Sequence, residues 1–290
     1  MFRMECTVVD SRYIVCVLYP LHYCYTLFLN FGGLANMPVE LPDLLRHLNE
    51  TLEPDKFKDY CPNGLQVEGR PLIARLATGV TASQALIEQA ADWQADAILV
   101  HHGLFWHGDG MEIVGMKRRR IGTLLANDIN LLAYHLPLDA HPELGNNAGL
   151  GRLLGVSSAS SLDPSVGDTL VNIGSLPEAV SVSEIESLLQ RELRHSPLYI
   201  GSGREKKVQK IAWCTGAAQG YIESAVAAGA DLYITGEVSE QTVHVAREEG
   251  IHFLAAGHHA TERFGAQSLG SHLAEVFDLQ HRFFDIDNPV

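Results

Sequence analysis

The sequence predicts an α/β protein made of two similar halves. From Met37 onward, short apolar runs alternate with amphipathic helical patterns, and short connections join them. The run TGVTASQALIEQAADWQADAILVHHG, residues 78 to 103, also aligns with TGAAQGYIESAVAAGADLYITGE, residues 215 to 237, apart from a small gap. Both runs contain a strand end, a Thr-Gly step, a helix, an Ala-Asp pair and a second apolar strand. We therefore interpret them as an internal repeat.

The elements of the first half follow one another in a regular order. The leucine spacing in LPDLLRHLNETL predicts an amphipathic helix, and CPNGLQVEG follows it as a turn and a loop. IARLATGVT predicts a strand, and SQALIEQAADWQ predicts a helix that begins near Ser83. ADAILV predicts a buried strand that ends on His101 and His102. A helix from about residue 118 to residue 127 and the apolar strand INLLAY complete this half.

These patterns divide the chain into four segments. Residues 1–36 are mostly apolar, and no charged residue lies between Arg12 and Glu40. We expect them to be an upstream extension outside the fold, with translation starting at Met37, although a signal peptide, a membrane anchor or an extra strand pair is also compatible with them. The other segments are the first repeat with HHGLFW and HLPLDAH (37–162), a short connecting insert (163–210) and the second repeat with GHHATE (211–290).

Charge and cysteine content exclude several classes of protein. The formal net charge is −14, from 35 acidic and 21 basic residues, which argues against tight binding to nucleic acid or to an anionic membrane. Residues 37–290 contain only Cys61 and Cys214 and so have no disulfide framework. We therefore expect this part of the protein to lie in a reducing compartment, the cytoplasm.

Histidines and carboxylates occur together at the predicted strand ends. His101 and His102 end one strand, where two adjacent imidazoles can diverge toward two ions. Asp139 follows the strand LLAY in a predicted loop and offers a hard oxygen ligand. His258 and Glu262 are four residues apart at the start of a predicted helix, so they share one face. Such mixed ligands suit two divalent ions of Zn, Mn, Fe, Ni or Co, and Glu262 can bridge them.

Each of these groups also has an ordinary structural interpretation. Strand-end histidines can bond to backbone, Asp139 can form a local turn, and His258 with Glu262 can be a surface helix pair. Three such groups together favour the metal site. Nearby, His135, His141 and His259 are candidates for proton transfer. The basic run KRRR, residues 117 to 120, is interpreted as a solvated helix face that could also meet a phosphate.

Seven motifs, in order along the chain, resemble one known family. They are NGLQVEG, TGVTAS, HHGLFW, LLANDINL, HLPLDAHPELGNN, TGEVSEQTVH and AAGHHATER. Together they are similar to the YbgI-type, NIF three-like family of dinuclear metal-centre proteins, also named the GTP cyclohydrolase 1 type 2 family. The resemblance covers nearly everything from Met37 to the C-terminus. It implies two intertwined α/β repeats with mixed sheets, a ring-shaped homohexamer, and metal ligands at His101, His102, Asp139, His258 and Glu262.

Two functions of different classes are compatible with these residues. The first is a hydrolase in which two metal ions activate water toward a nucleotide-like or phosphorylated small molecule. In that case Glu262 bridges the ions, His135 or His259 moves protons, and the family name suggests a GTP cyclohydrolase type of reaction. The second is a hexameric metal-binding scaffold or regulatory protein without turnover. Open coordination positions favour the enzyme, and closed coordination favours the scaffold.

Overall fold

The computed structural model describes residues 3–10, 13–19, 25–30, 38–157, 159–162 and 170–290. The chain divides into two compact units, Met1–Pro38 and Val39–Val290. In the first unit, the backbones of β1 (Arg3–Asp10), β2 (Tyr13–Tyr19) and β3 (Tyr25–Asn30) form an antiparallel sheet in that order. Met37, the expected start of translation, lies outside the described residues.

The second unit contains the alternating strands and helices that the sequence predicts. Its strands are β4 (Val39–Glu40), β5 (Gly64–Val67), β6 (Leu72–Ile73), β7 (Arg75–Thr81), β8 (Ala97–His102), β9 (Asn130–Ala133), β10 (Ser160–Ser161), β11 (Asn172–Ser181), β12 (Leu198–Ile200), β13 (Lys207–Trp213), β14 (Leu232–Thr235), β15 (His252–Ala255) and β16 (Gln280–Phe283). Its α-helices are α1 (Leu41–Leu52), α2 (Gln84–Asp92), α3 (Gly115–Ala126), α4 (Leu136–Ala140), α5 (Asn146–Leu154), α6 (Val182–Leu193), α7 (Ile222–Ala227), α8 (Glu240–Glu249), α9 (His258–Thr261) and α10 (Arg263–Phe277).

Two mixed sheets form the framework of this unit. The five-stranded sheet has the order β16-β7-β8-β9-β5, in which β5 alone is antiparallel to its neighbour. The six-stranded sheet has the order β10-β11-β13-β14-β15-β12, with parallel pairing from β13 to β15 and antiparallel pairing at the edges. The predicted α/β class with mixed sheets is therefore confirmed.

The internal repeat corresponds to one structural unit in each sheet. The first copy is β7-α2-β8-α3-β9, and the second is β13-α7-β14-α8-β15. The Ala-Asp pair has the same role in both copies. Asp96 accepts hydrogen bonds from the backbone N–H groups of Ala74 and Arg75, each at 2.8 Å. Asp231 accepts the equivalent bonds from residues 209–210 at the first strand of its copy, each at 2.9 Å.

The two halves exchange elements near the C-terminus. After β15 the chain returns to the five-stranded sheet, where α10 packs on β7 and β16 pairs with β7 in parallel. Gly270 allows this close approach, because a Cβ there would lie 2.2 Å from Nε2 of His281. The halves are therefore intertwined.

Helices cover both faces of the first parallel core. On one face, apolar side chains of β7 and β8 pack against α2 and α3, and on the other they pack against α1 and α10. Strands buried on both faces have continuous apolar sequences, which is why β8 begins with the uninterrupted apolar run AILV. His101 is fully buried, and it lies where this apolar strand reaches its carboxyl end.

The segment predicted as a connecting insert, residues 163–210, contains regular elements. β11 lies beside β13 in the six-stranded sheet, and β12 lies beside β15 at its edge. Helix α6 begins with a capping box, since the Ser181 hydroxyl accepts the Glu184 N–H at 3.2 Å and the Glu184 carboxylate accepts the Ser181 N–H at 2.8 Å. Residues 163–169 lie outside the described part of the chain.

Element boundaries mostly agree with the sequence, with two differences. Helix α1 coincides with LPDLLRHLNETL, and Ser83 caps α2 as predicted. Helix α3 begins at Gly115, three residues before the predicted start at residue 118. The prediction that Asp139 lies in a loop is wrong, since Asp139 lies in the short helix α4. The fixed φ of Pro137 suits the first turn of this helix. Within the described ranges, no helix is long and apolar enough to span a membrane.

Replacing Asp96 by Ala should lower the free energy of unfolding by about 2 kcal/mol, because two partly buried backbone N–H groups and Arg70 lose a charged acceptor. Urea denaturation of the purified protein measures this change. Asp92→Ala is the control, since Asp92 is exposed at the end of α2. An equal loss of stability in both variants would contradict the role assigned to Asp96.

Candidate metal centre

The structure brings all five predicted ligands together at the carboxyl ends of the strands. Nε2 of His101, at the end of β8, lies 3.5 Å from Oδ1 of Asp139 on α4 and 3.5 Å from Oε1 of Glu262. Nε2 of His102 lies 3.3 Å from Oε2 of Glu262. Nε2 of His258, the first residue of α9, lies 3.1 Å from the same oxygen. The Glu262 carboxylate is therefore at the centre of the group.

The five predicted ligands form two sets that share Glu262. One set is His101, Asp139 and Glu262, and the other is His102, His258 and Glu262. Within each set, the donor atoms lie within 4.8 Å of one another. Each set combines imidazole nitrogen with carboxylate oxygen, a combination that suits divalent transition metals. Either set could hold a metal ion.

The adjacent histidines of HHGLFW are held by different partners. Nδ1 of His101 donates to the carbonyl oxygen of Tyr134 at 3.1 Å, and Nδ1 of His102 is hydrogen-bonded to Oγ1 of Thr81 at 3.1 Å. Their ring planes are inclined by 46°. Because Nδ1 is engaged in both rings, both present Nε2 to Glu262, at different carboxylate oxygens. The predicted divergence of the pair is therefore present.

Two glycines of the second repeat, each preceded by threonine, leave room for the centre. Gly216 has a φ of +69°, and a Cβ there would lie 2.2 Å from Oε1 of Glu262. A Cβ on Gly236 would lie 2.6 Å from Cα of His258. A side chain at either position would displace a predicted ligand. The sequence contains Thr-Gly at residues 215–216 and 235–236 but does not indicate that these glycines lie next to Glu262 and His258.

The sequence predicts that His258 and Glu262 lie in one continuous helix, but the structure divides this segment into two helices. Helix α9 ends at Thr261 and α10 begins at Arg263, with Glu262 between them at a φ of −103°. The turn is tight because Glu262 N–H donates to the carbonyl of His259, three residues earlier. The two side chains still share a face, so the predicted proximity is correct although the helix is interrupted.

Polar residues around the ligands hold their side chains in place. Glu237 Oε1 accepts a hydrogen bond from Nδ1 of His258 at 2.7 Å. Oδ1 of Asp139 accepts from Nδ2 of Asn146 at 2.8 Å and from Oγ1 of Thr215 at 3.2 Å. Such partners fix ring tautomer and carboxylate orientation in metal sites. Sequence reasoning did not select Glu237, although it lies within the motif TGEVSEQTVH.

Two buried atoms at the centre have no hydrogen-bond partner among the described residues. They are Nε2 of His101 and Oε2 of Glu262, although Glu262 is only 3% exposed. The nearest histidine nitrogens, Nε2 of His258 and Nε2 of His102, lie 3.1 and 3.3 Å from Oε2. An unsatisfied buried polar group costs about 1–3 kcal/mol, and more when it is charged. A bound cation would satisfy both atoms, so the residues present fit a metal.

The electrostatics favour ionised carboxylate at the centre. Burial raises the pKa of Glu262, but His101 and His102 more than offset this and hold it well below its ordinary value. Burial lowers the pKa of His101, but Asp139 and Glu262 raise it to about 9. Burial lowers the pKa of His102 to about 3. Glu262 therefore remains an anion that can bind positive charge.

A hydrogen-bonded pair, Asp59 and His135, lies beside the ligands. Nδ1 of His135 donates to Oδ1 of Asp59 at 2.7 Å, and the other carboxylate oxygen accepts from Leu136 N–H at 2.9 Å and from Asn63 at 3.0 Å. Burial raises the pKa of Asp59, but the bonds from His135 and Asn63 lower it to about 2. The His135 ring centroid lies 4.9 Å from that of His101.

Asp59 was not selected from the sequence, although it lies two residues before CPNGLQVEG. Since its partner His135 was selected as a proton-transfer candidate, the pair extends that hypothesis.

The other two proton-transfer candidates lie in different surroundings. His259 is 8% exposed, and its Nε2 lies 3.3 Å from Oδ1 of Asp285 at the edge of the centre. His141 points elsewhere: its Nδ1 accepts the backbone N–H groups of residues 143 and 144 and so closes its own turn. Lys117, in the basic run, forms an ion pair with Asp109 at 3.3 Å.

Replacing Glu237 by Gln should weaken divalent metal binding about tenfold, because the ring of His258 loses its charged acceptor. Competition with a chromophoric chelator measures the affinity. Glu240→Gln is the matched control, since Glu240 makes a similar 2.7 Å bond to His244 on an exposed helix face. Equal affinity in Glu237→Gln and wild type would show that Glu237 does not support a metal site.

Comparison with known proteins agrees with this architecture. The model of the family Duf34/NIF3 (NGG1p interacting factor 3) matches residues 39–289. The protein named GTP cyclohydrolase 1 type 2 homolog of Pseudomonas aeruginosa is 52% identical over 254 residues, which cover 88% of this chain and 100% of the relative. The protein of the same name in Escherichia coli is 52% identical over 248 residues, covering 86% of this chain and 98% of the relative.

Solved structures show the same likeness. A structure described as the protein ybgI, of unknown function, is 51% identical with a TM-score of 0.82, covering 87% of this chain and 100% of that one. TTHA1606 from Thermus thermophilus is 34% identical with a TM-score of 0.79 over 87% of this chain and 100% of its own. Because the family model spans most of the chain and these relatives are covered almost completely, the chain belongs to the Duf34/NIF3 family.

Proposed function

We propose that the protein is a metal-dependent hydrolase with two divalent ions. The observation that carries this proposal is the position of Glu262, which belongs to two sets of donor atoms, with His101 near Oε1 and both His102 and His258 near Oε2. The ligands are His101, Asp139 and Glu262 for one ion, and His102, His258 and Glu262 for the other. Their mixed nitrogen and oxygen chemistry suits Zn, Mn, Fe, Ni or Co.

The chain's own residues supply proton transfer and orientation. When bound, the two ions would act as Lewis acids and increase the acidity of water at neutral pH. His135 accepts a proton at Nε2, because Nδ1 is committed to the Asp59 carboxylate. Asp59 holds the ring in this tautomer and stabilises the imidazolium that results. His259, bonded to Asp285, is a second group that can move a proton at the edge of the centre.

The Asp59–His135 pair favours the enzyme over the scaffold. A scaffold needs ligands and their supporting hydrogen bonds, and Glu237, Asn146 and Thr215 already supply these. The Asp59 carboxylate also orients His135, a histidine that is not one of the five predicted ligands. It is an arrangement expected where a reaction requires a proton acceptor.

The substrate is proposed to be a nucleotide-like or phosphorylated small molecule. Relatives that are 52% identical carry the name GTP cyclohydrolase 1 type 2 homolog, so a GTP cyclohydrolase type of reaction is the first to test. The acidic net charge of −14 opposes nucleic acid as the partner.

We also propose that the protein acts as a homohexamer in the cytoplasm. A group of large apolar side chains is exposed in the segment after β8, as expected of a surface that another subunit covers. These residues are Met111, Ile113, Val114 and Met116. The free, buried thiols of Cys61 and Cys214 suit a reducing compartment.

Glu262→Gln should remove both metal ions and abolish hydrolysis, since one substitution takes a ligand from each set. Metal analysis by mass spectrometry, followed by assay against GTP, other nucleotides and phosphoesters, tests this. Glu275→Gln, exposed on α10, is the control and should retain metal and activity. If metal-loaded wild type turns over none of these compounds and Glu262→Gln fails to assemble, the scaffold hypothesis is favoured over the hydrolase hypothesis.

Asp59→Asn should lower kcat about a hundredfold while metal content and KM stay close to wild type, because His135 loses its fixed tautomer but the ligands are untouched. Steady-state kinetics measures this, with whichever nucleotide or phosphoester the wild-type protein hydrolyses. Asp55→Asn, exposed nearby in the chain, should have no effect. A variant Asp59→Asn with wild-type kcat would exclude the pair from catalysis.

A further inference from the structure

Two neighbouring cavities open beside the metal centre. The smaller, of about 140 Å³, is lined by Thr81, His102, His258, His259, Asn288 and Val290. The larger, of about 600 Å³, lies between the end of α6, the start of α9 and α10, and the C-terminal segment. His259 and Asn288 line both cavities, so the larger one continues outward from the ligands. Its volume is in the range of small-molecule sites.

The charged side chains of the larger cavity differ in whether they are paired. Nη1 of Arg263 donates to Oδ2 of Asp285 at 2.9 Å, and Nε2 of His259 lies 3.3 Å from Oδ1 of the same carboxylate. These charges largely satisfy one another. Arg194 and Asp287 also line the cavity, and neither makes a hydrogen bond or ion pair with any described residue. One guanidinium and one carboxylate are therefore available to a ligand.

We propose that this larger cavity binds a phosphate-bearing substrate and that Arg194 pairs with its phosphate. The planar guanidinium matches phosphate oxygens in a bidentate manner and keeps its charge at any physiological pH. A nucleotide-sized molecule seated there extends past His259 toward the ligand sets. The assignment rests on the hydrolase proposed above and names the substrate group that this site recognises.

Asp287 allows a second test, in which removal of a charge is expected to change phosphate affinity in the opposite direction. Its carboxylate shares the wall with Arg194 and repels an anion in the cavity. Removing its charge should therefore strengthen phosphate binding, whereas removing the charge of Arg194 should weaken it. A ligand that bound as a cation would show the reverse order, and an uncharged one would show neither effect.

The basic run in residues 117–120 is the competing phosphate site from the sequence. None of its side chains lines this cavity, and Lys117 is paired with Asp109. Arg194 instead comes from the segment predicted as a connecting insert, where it follows α6. Arg119→Ala is therefore a control, because Arg119 belongs to that run and is also exposed.

The backbone at Arg194 makes a clean substitution available. Arg194 has a φ of 52°, in the left-handed region, at the C-cap of α6. Glycine adopts this conformation without strain, so Arg194→Gly removes the guanidinium without disturbing the helix end. Arg194→Lys keeps the charge. Arg191→Ala is the matched control, because Arg191 is exposed on the same helix and pairs with Glu192.

Isothermal titration of the full-length protein with inorganic tripolyphosphate, GTP and guanosine tests the assignment, with metal content measured for every variant. We expect Arg194→Gly to weaken tripolyphosphate and GTP binding about tenfold, the effect of losing one charged hydrogen-bonded pair. Arg194→Lys should recover part of this loss, and Asp287→Asn should tighten binding. Arg191→Ala, Arg119→Ala and all guanosine affinities should stay unchanged at equal metal content.

Equal phosphate affinity in wild type and Arg194→Gly would overturn the assignment, as would an equal loss in Arg191→Ala. Weaker binding in Asp287→Asn would also overturn it. These outcomes do not depend on turnover. If the protein hydrolyses a substrate but phosphate binding does not depend on Arg194, the phosphate-site hypothesis is wrong and the hydrolase hypothesis stands. If phosphate binding depends on Arg194 but no hydrolysis occurs, the phosphate-site hypothesis stands and the hydrolase hypothesis is wrong.

Discussion

The buried carboxylate of Glu262 is the constraint on which the rest of the centre depends. A charged group taken out of water needs positive charge or donors close by, and the cost of leaving it alone is several kcal/mol. The chain surrounds it with His101, His102 and His258 rather than with backbone donors. Because imidazoles are metal ligands as well as bases, the same arrangement that tolerates the carboxylate also suits cations.

The two sheets make this arrangement possible. Parallel strands end at one edge, and side chains that follow those ends gather there. β8 and β9 bring His101, His102 and Asp139 from the first half, while β15 brings His258 and Glu262 from the second. Gly216 and Gly236, both from the second half, lie against His258 and Glu262 and leave no Cβ in the way. Each half alone supplies only part of either ligand set.

Much of this was predictable from local sequence. Helix α1, the buried strand β8 and the grouping of the five predicted ligands follow from periodicity, from apolar runs that end in histidines, and from motif resemblance. Local patterns determine which residue types end a strand, and strand ends share an edge. These features need little knowledge of distant contacts.

The remaining features depend on contacts between distant parts of the chain. Asp59 contacts His135 because β5, which follows Asp59, pairs with β9, which precedes His135. No sequence pattern near Asp59 indicates this contact. Glu237 meets His258 across two strand ends. The helix predicted through Glu262 is interrupted by a tight turn, and Pro137 makes a helix where a loop was expected. Tertiary geometry decides such details, and propensity does not.

The return of the C-terminal strand to the first sheet has a consequence for the order of folding. Gln280 pairs with Arg75 in parallel, so the five-stranded sheet receives β16 only after about two hundred further residues have been synthesised. Pairings between such distant residues form slowly, because closing the intervening loop costs entropy first. Glu262 arrives on the same returning segment. The two candidate ligand sets are therefore complete only after this segment has been synthesised, and a shorter nascent chain lacks the carboxylate that they share.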